Sequence, residues 1–410
     1  SAQRGDFLML IKEFETFVVA NPPPRFGGRY FIFIKLVTDT GIVGYGEVYC
    51  ATFSAHTVEA MLKDTAERFI IGHDPFHIEK LWRSVYGAGY TLRPDVSLVS
   101  VLSALEMACW DIVGKACEKP AYELLGGQVH ERLRSYTYIY PDQGDVYPED
   151  GDENHVYVNP ERAAQRAMDY VAQGFTALKF DPAGPYTVFD GGMPTGEELD
   201  RSEAFIKAIR EAVGGKVDLL FGTHGQFSPA GAIRLAKRLE AYDPLWFEEP
   251  VPPENTAAMA QVANATSIPV ATGERLCTKH EFARVLQDGA ATILQLNLGR
   301  VGGLLEAKKI AALAEVHYAQ LAPHMYCGPI VGAANIQLAT CSPNFLILEG
   351  IESWGGFQSE LLEQAVQWED GYVIPSSEPG LGVSLNEDVA RANPWTGGEL
   401  HLQMGLEPVR

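Results

Sequence analysis

Positive charge is what this chain has least of. Against 53 Asp and Glu it carries 32 Lys and Arg, a formal net charge of −21. Nucleic acid and anionic membranes are bound through positive surface, so neither is expected as a partner. A small anionic substrate is still allowed, because one lysine, arginine or metal ion outweighs the global field at short range. The six cysteines, Cys50, Cys109, Cys117, Cys277, Cys327 and Cys341, are scattered and form no CxxC pair. Reduced core thiols in a cytoplasmic protein are therefore expected. No His-rich or thiolate cluster speaks for zinc. No apolar run approaches the length of a membrane span. Phe7–Leu8–Met9–Leu10–Ile11 is too short for a secretory apolar region and no cleavage site follows it.

What is present is a large stock of core residues. The chain has 410 residues, 46% hydrophobic and 10% aromatic, enough for a barrel plus a second domain. Residues 7–20 and 30–37 are apolar, β-branched and aromatic, and Asp39–Thr40–Gly41 before Ile42–Val43 is a hairpin signal. Pro22–Pro23–Pro24 marks residues 21–28 as a surface loop. From His56 to about Gly126 the apolar residues recur at helical steps, Val101, Leu102, Leu105, Ala108, Cys109 and Ile112 among them. Residues 1–130 thus read as an α+β domain, with the tail 366–410 expected to pack back on it.

Beyond residue 130 short apolar runs alternate with helical segments. Strands are expected at 136–140, 175–181, 217–221, 245–248, 268–273, 291–297, 319–324 and 344–349. The fold class is α/β, a barrel over 131–365 whose chemistry sits at the carboxyl ends of its strands. Two long polar segments interrupt the alternation, Pro141–Asn159, rich in acidic residues, and Pro182–Thr195. A loop as long as Pro141–Asn159 is an active-site lid or a solvated insertion.

Glu248, Glu274 and Glu349 end strands at equivalent places, as does His324, and His224 follows the third strand. One such acid is ordinary helix-start decoration; several in register point to a site. Lys179 and Asp181 are two apart and so share a face at the barrel mouth. A lysine among aromatic and aliphatic strand residues is costly unless paired or functional. Arg275 and Arg300 either grip an anionic substrate or pair with a neighbouring carboxylate. Carboxylates on adjacent strand ends suit a hard cation with oxygen ligands, Mg²⁺ best of all.

Trp246–Phe247–Glu248–Glu249–Pro250–Val251, Ile268–Pro269–Val270–Ala271–Thr272–Gly273–Glu274–Arg275, Gly302–Gly303, Leu321–Ala322–Pro323–His324, Leu348–Glu349 and Val43–Gly44–Tyr45–Gly46–Glu47 together resemble the enolase superfamily. Within it they resemble the mandelate racemase-like group and its acid-sugar dehydratases, such as the galactonate dehydratases. The resemblance implies a modified (β/α)₇β TIM-like barrel under an N-terminal α+β capping domain, and a homo-oligomer. It implies one Mg²⁺ holding a substrate carboxylate and stabilising the enediolate left when a base removes the α-proton. It further implies a dehydratase of a sugar acid with Lys179, His224, His324 and Glu349 as catalytic residues. A racemase, epimerase or cycloisomerase, or a binding protein on a decayed scaffold, are the alternatives.

The chain departs from the family pattern in three places. Gly222 stands where a third-strand Asp binds the metal, Asn297 where an Asp pairs with the seventh-strand His, and Asp181 where a second lysine would stand. His224 matches the His that helps hydroxide leave. Asp181 is the first candidate to complete the metal site with Glu248 and Glu274, ahead of water and His224. Asn297 is expected to accept a hydrogen bond from His324 and set its tautomer.

Overall fold

The computed structural model describes residues 8–90, 92–146, 151–181 and 191–402. Glu149 and Asp150 of the first acidic segment, and residues 182–190 of the second, lie outside the described residues. The chain opens with three antiparallel strands, β1 (Ile11–Ala20), β2 (Tyr30–Thr38) and β3 (Val43–Val48). The β2–β3 turn falls at Asp39–Thr40–Gly41, where Gly41 takes a φ of 83° that other residues resist. Helices Ala55–Phe69 and Val96–Ala116 pack on this sheet, and Ile78–Gly87 packs on those two helices.

The last of these helices corrects one expectation. Its 21 residues are long and apolar enough, by composition, to cross a membrane. Ser100, Ser103, Glu106 and Asp111 hide that pattern in the sequence. The helix is instead a core element, buried along most of its length. Its acids reach across to the second half of the chain. Glu106 accepts from Leu304 N (2.7 Å) and Leu305 N (2.9 Å) at the start of helix Gly303–Val316. Glu47 of β3 does the same for helix Pro329–Thr340 through Gly328 N and Val331 N. A carboxylate at a helix N-terminus satisfies orphan N–H groups and complements the dipole. Gly303 is glycine because a Cβ there would sit 2.0 Å from Glu106 Oε2, at a φ of 88°.

Eight parallel strands then close into a barrel, in accord with the expected fold class. They are β4 (Leu133–Tyr138), β5 (Ala177–Phe180), β6 (Asp218–Gly222), β7 (Trp246–Glu248), β8 (Val270–Thr272), β9 (Ile293–Leu294), β10 (Gln320–Leu321) and β11 (Leu348–Gly350). The ring closes where β11 pairs with β4 and Leu321 bridges to Phe345. Helices follow β4 to β10 with clear start signals: Thr195 and Glu198 make a capping box, and Ser228–Pro229 caps the helix after β6. The tail divides. β12 (Gln367–Glu369) and β13 (Tyr372–Ile374) pair with each other, and β13 runs antiparallel to barrel strand β4. Among the described residues, the later tail is the part that meets the N-terminal sheet, through Glu387 on Lys35 (2.6 Å) and Trp395 N on Val18 O (2.9 Å).

Each barrel strand, or the residue bordering it, contributes to an apolar floor: Tyr136, Ala177, Leu220, Trp246, Ala271, Ile293, Ala322 and Ile347. Trp246 and Tyr136 meet edge to face at 5.5 Å, and losing either ring would cost about 3–5 kcal/mol. Because side chains alternate along a strand, the next inward layer lies two residues on. It consists of Tyr138, Lys179, Gly222, Glu248, Gly273, Gln295, His324 and Glu349. The floor thus sets the height of the polar site.

Candidate active site

Lys179, 2% exposed, is the hub of the polar layer. Its Nζ donates to Glu248 Oε1 at 2.6 Å and lies 3.7 Å from Glu349 Oε1. Burial disfavours its charge, yet Glu248 and Glu349 hold its pKa well above the ordinary lysine value. Lys179 is therefore a fixed cation. The other Glu248 oxygen accepts from Gln295 Nε2 (2.7 Å) and Trp246 Nε1 (3.1 Å), so this carboxylate is held from three sides. Glu349 Oε2 accepts from Met325 N (2.9 Å). Burial pushes the Glu349 carboxyl up to about 7, with Lys179 opposing.

A second chain of groups crosses the mouth. Asp181 Oδ2 meets His224 Nδ1 at 2.6 Å, and His224 Nε2 lies 3.7 Å from Glu274 Oε1. Burial lowers the His224 pKa, but the Asp181 hydrogen bond and the Glu274 charge raise it to about 9. The backbone presents this imidazole in a strained form, with φ 50° at His224 and 39° at Glu249. Three contacts hold it there. Arg275 Nη2 donates to His224 O (2.9 Å), Thr223 Oγ1 donates to Glu249 O (2.9 Å), and Gly225 N donates to the same carbonyl (2.6 Å).

His324 sits across the site, its Nε2 3.2 Å from Glu274 Oε2 but out of hydrogen-bond alignment. Its other side corrects the expectation for Asn297. Gly299 N donates to Asn297 Oδ1 (2.9 Å), which turns the amide NH₂ toward His324 Nδ1 at 3.0 Å. Asn297 is thus the donor. The neutral imidazole carries its proton on Nε2, facing the site. Burial brings its pKa down to about 3, against the pull of Glu274.

Arg275 and Arg300 also depart from the substrate-gripping expectation. Arg275 Nε lies 3.0 and 3.2 Å from the two oxygens of buried Glu249. Arg300 donates to Glu274 O (3.0 Å) and stacks 4.2 Å over the Tyr49 ring. Both serve the scaffold.

Asp181, Glu248 and Glu274 fit a divalent cation by chemistry. Burial opposes the Glu274 charge, but the facing imidazoles of His324 and His224, and then Lys179, hold its carboxyl below the usual range. Its Oε2 is buried without a hydrogen-bond partner, the kind of atom that an ion satisfies. The absent side chain at Gly222 leaves room: a Cβ there would stand 3.7 Å from Asp181 Oδ2 and 3.6 Å from Lys179 Cε. Asp181 thus leans over the vacated position. Among the described residues, no three His, Cys, Asp or Glu side chains already enclose one point.

Residues 22–126 match the mandelate racemase/muconate lactonizing enzyme N-terminal domain, and residues 162–389 match the enolase C-terminal domain-like family. The chain belongs to the enolase superfamily. Against the D-galactonate dehydratase of Pectobacterium atrosepticum it is 34% identical, over 90% of this chain and 90% of that one. Against the D-gluconate dehydratase of Thermoproteus tenax it is 32% identical, over 99% of this chain and 78% of that one. A solved structure from Labrenzia alexandrii, named as a candidate mandelate racemase/muconate lactonizing enzyme, is 66% identical. It superposes with a TM-score of 0.93 over 97% of this chain and 99% of that one.

For this enolase-superfamily chain, sequence reasoning missed several residues around the site. Gln295 lies two before Asn297, so the alternation that pairs Lys179 with Asp181 could have found it. Trp246 lies two before Glu248 by the same rule. Tyr49, which places Arg300 and stands 5.8 Å from the His324 ring, comes from the capping domain and leaves no signal in the barrel segments.

Proposed function

We propose that the protein is an Mg²⁺-dependent dehydratase of a sugar acid, a carbon–oxygen hydro-lyase. The observation that carries the reading is the Asp181–His224 pair at 2.6 Å, beside the buried Lys179–Glu248 pair. Dehydratase names among relatives near one-third identity support the same class. Asp181, Glu248 and Glu274 would hold the cation, and oxygen donors suit Mg²⁺. When bound, it supplies positive charge against the substrate carboxylate and the charge that gathers there as the α-proton leaves.

The chain's own groups divide the rest. Lys179 adds a fixed cation beside the developing enediolate. His324, neutral with Nε2–H facing inward, donates a hydrogen bond to an oxygen that gains charge. Glu349, near neutrality at about 7, is matched to receiving the α-proton at physiological pH. The electron pair of the C–H bond then forms the carbon–carbon double bond as the β C–O bond breaks. His224, protonated by virtue of Asp181, gives its proton to the departing hydroxide, which leaves as water. The enol product tautomerises to a 2-keto-3-deoxy acid.

A library of aldonic acids incubated with the Mg²⁺-loaded protein tests this. A 2-keto-3-deoxy product and loss of turnover in His224→Asn are expected. Racemised or epimerised acid without 2-keto product would overturn the dehydratase reading.

A further inference from the structure

The C-terminal tail brings one imidazole, His401, up to the aromatic surroundings of the site. His401 is 4% exposed. Its ring meets three tyrosines edge-on: Tyr30 at 5.5 Å, Tyr49 at 5.2 Å and Tyr326 at 6.0 Å. The backbone beside it is fixed as well. His401 N donates to Tyr30 Oη (3.0 Å), Arg29 N donates to His401 O (3.3 Å), and Arg29 Nη1 donates to Leu400 O (3.4 Å). Against the ring also stands Gly28, where a Cβ would lie 2.2 Å from His401 Nε2, at a φ of 111°. The 21–28 loop and the tail therefore interlock, and the imidazole occupies the space of a residue-28 side chain.

Two of the three tyrosines lead on to the site. The Tyr49 ring stands 5.8 Å from the His324 ring, with the Arg300 guanidinium 4.2 Å over it. Tyr49 N donates to Gly299 O (3.0 Å), and Gly299 N is the group that turns the Asn297 amide toward His324. Tyr326 lies two residues past His324, and Met325 N between them donates to Glu349. The His401 ring itself makes no aligned polar contact. Burial lowers its pKa to about 3, with Arg300 assisting and the Gly27 backbone opposing without hydrogen-bond alignment. A neutral ring with neither nitrogen bonded acts through its shape.

We infer that His401 is a positioning residue of the active site: its imidazole wedges between the 21–28 loop and the Tyr49 and Tyr326 rings, and so holds Tyr49 against His324 and Arg300. Without the wedge, the edge of the Tyr49 ring borders a hollow, and close packing no longer fixes the ring. Arg300 then loses the face on which it stacks, and with it the steady donation to Glu274 O. Reacting groups must be placed to within about 1 Å, so the loss falls on turnover.

The inference rests on the proposed sugar-acid reading for its kinetic arm, and a second arm needs no substrate. In the Mg²⁺-loaded His401→Ala protein, kcat on the aldonic acid that wild type turns over should fall at least tenfold with KM within about threefold, because Tyr49 adjoins the reacting groups. Hydrogen exchange at the Tyr49 and Arg300 amides, bonded to Gly299 O and Asn297 O, should quicken at least tenfold. Gly28→Ala drives the ring out from the other side without removing it, and should give both effects. The double variant should be no worse at the site than His401→Ala alone, since the collision at residue 28 needs the imidazole. Unchanged exchange at both amides overturns the inference, as does an unchanged kcat, whatever the loss in Tm. Fully additive effects of the two substitutions overturn it too. No turnover of any acid by wild type, with exchange quickened in the variants, defeats the dehydratase reading and supports this one.

Discussion

Asp181 and His224, from neighbouring barrel strands, meet through Oδ2 and Nδ1 at 2.6 Å, and the pair keeps a buried imidazole protonated. Folding raises this histidine from 6.5 to about 9. A group raised on folding contributes its full stabilisation below the unfolded value and loses it as pH climbs through the folded one. The pair's contribution is therefore whole below about pH 6.5 and gone above about pH 9, an effect on the order of 3 kcal/mol at most. Denaturant unfolding of metal-free wild type and Asp181→Asn should differ most near pH 6 and converge above pH 9. A gap that widens with pH would contradict the pairing.

Gly222→Asp restores the carboxylate that the family pattern has on this strand. The added Cβ meets Lys179 Cε, Asp181 Oδ2 and Phe180 O at 3.6–3.8 Å, ordinary contact, so the side chain has room to start. Without a cation the new carboxylate repels Asp181 and lowers stability by about 1–2 kcal/mol. With Mg²⁺ the variant should recover, giving a larger Mg²⁺-induced rise in Tm than wild type. Equal rises in both proteins would show that the space over Gly222 is not part of the cation site.

Glu248→Gln and Glu274→Gln should each weaken Mg²⁺ binding at least tenfold by calorimetry, since a hard cation loses a charged oxygen donor. Glu248→Gln should also lower the Lys179 pKa, because Glu248 is the main group holding it up. Undiminished Mg²⁺ affinity in both variants would place the cation elsewhere.

Asn297→Asp replaces the donor at His324 Nδ1 with an acceptor. A carboxylate there stabilises the imidazolium and moves the proton to Nδ1. The His324 titration seen by NMR should rise from about 3 by at least about one unit. It would free Nε2 to act as a base, so deuterium exchange at the substrate α-carbon should increase. A stationary titration would show that burial alone fixes this histidine.

The strand and helix sequence of the barrel was legible because both periodicities are local. The strands expected at 217–221, 245–248 and 268–273 appear as Asp218–Gly222, Trp246–Glu248 and Val270–Thr272, with a helix after each. Alternation likewise put Lys179 and Asp181 on one face, since a strand has only two. What each side chain does there was decided by groups distant in sequence. Whether Arg275 grips a ligand or holds Glu249 depends on a contact 26 residues away. The direction of the Asn297 amide depends on the Gly299 N–H bending back onto it, and the place of helix Val96–Ala116 on acids that reach 199 residues along the chain. A sequence fixes which groups are available; burial and hydrogen-bond partners, which exist only after the chain has closed, set their charge, tautomer and direction.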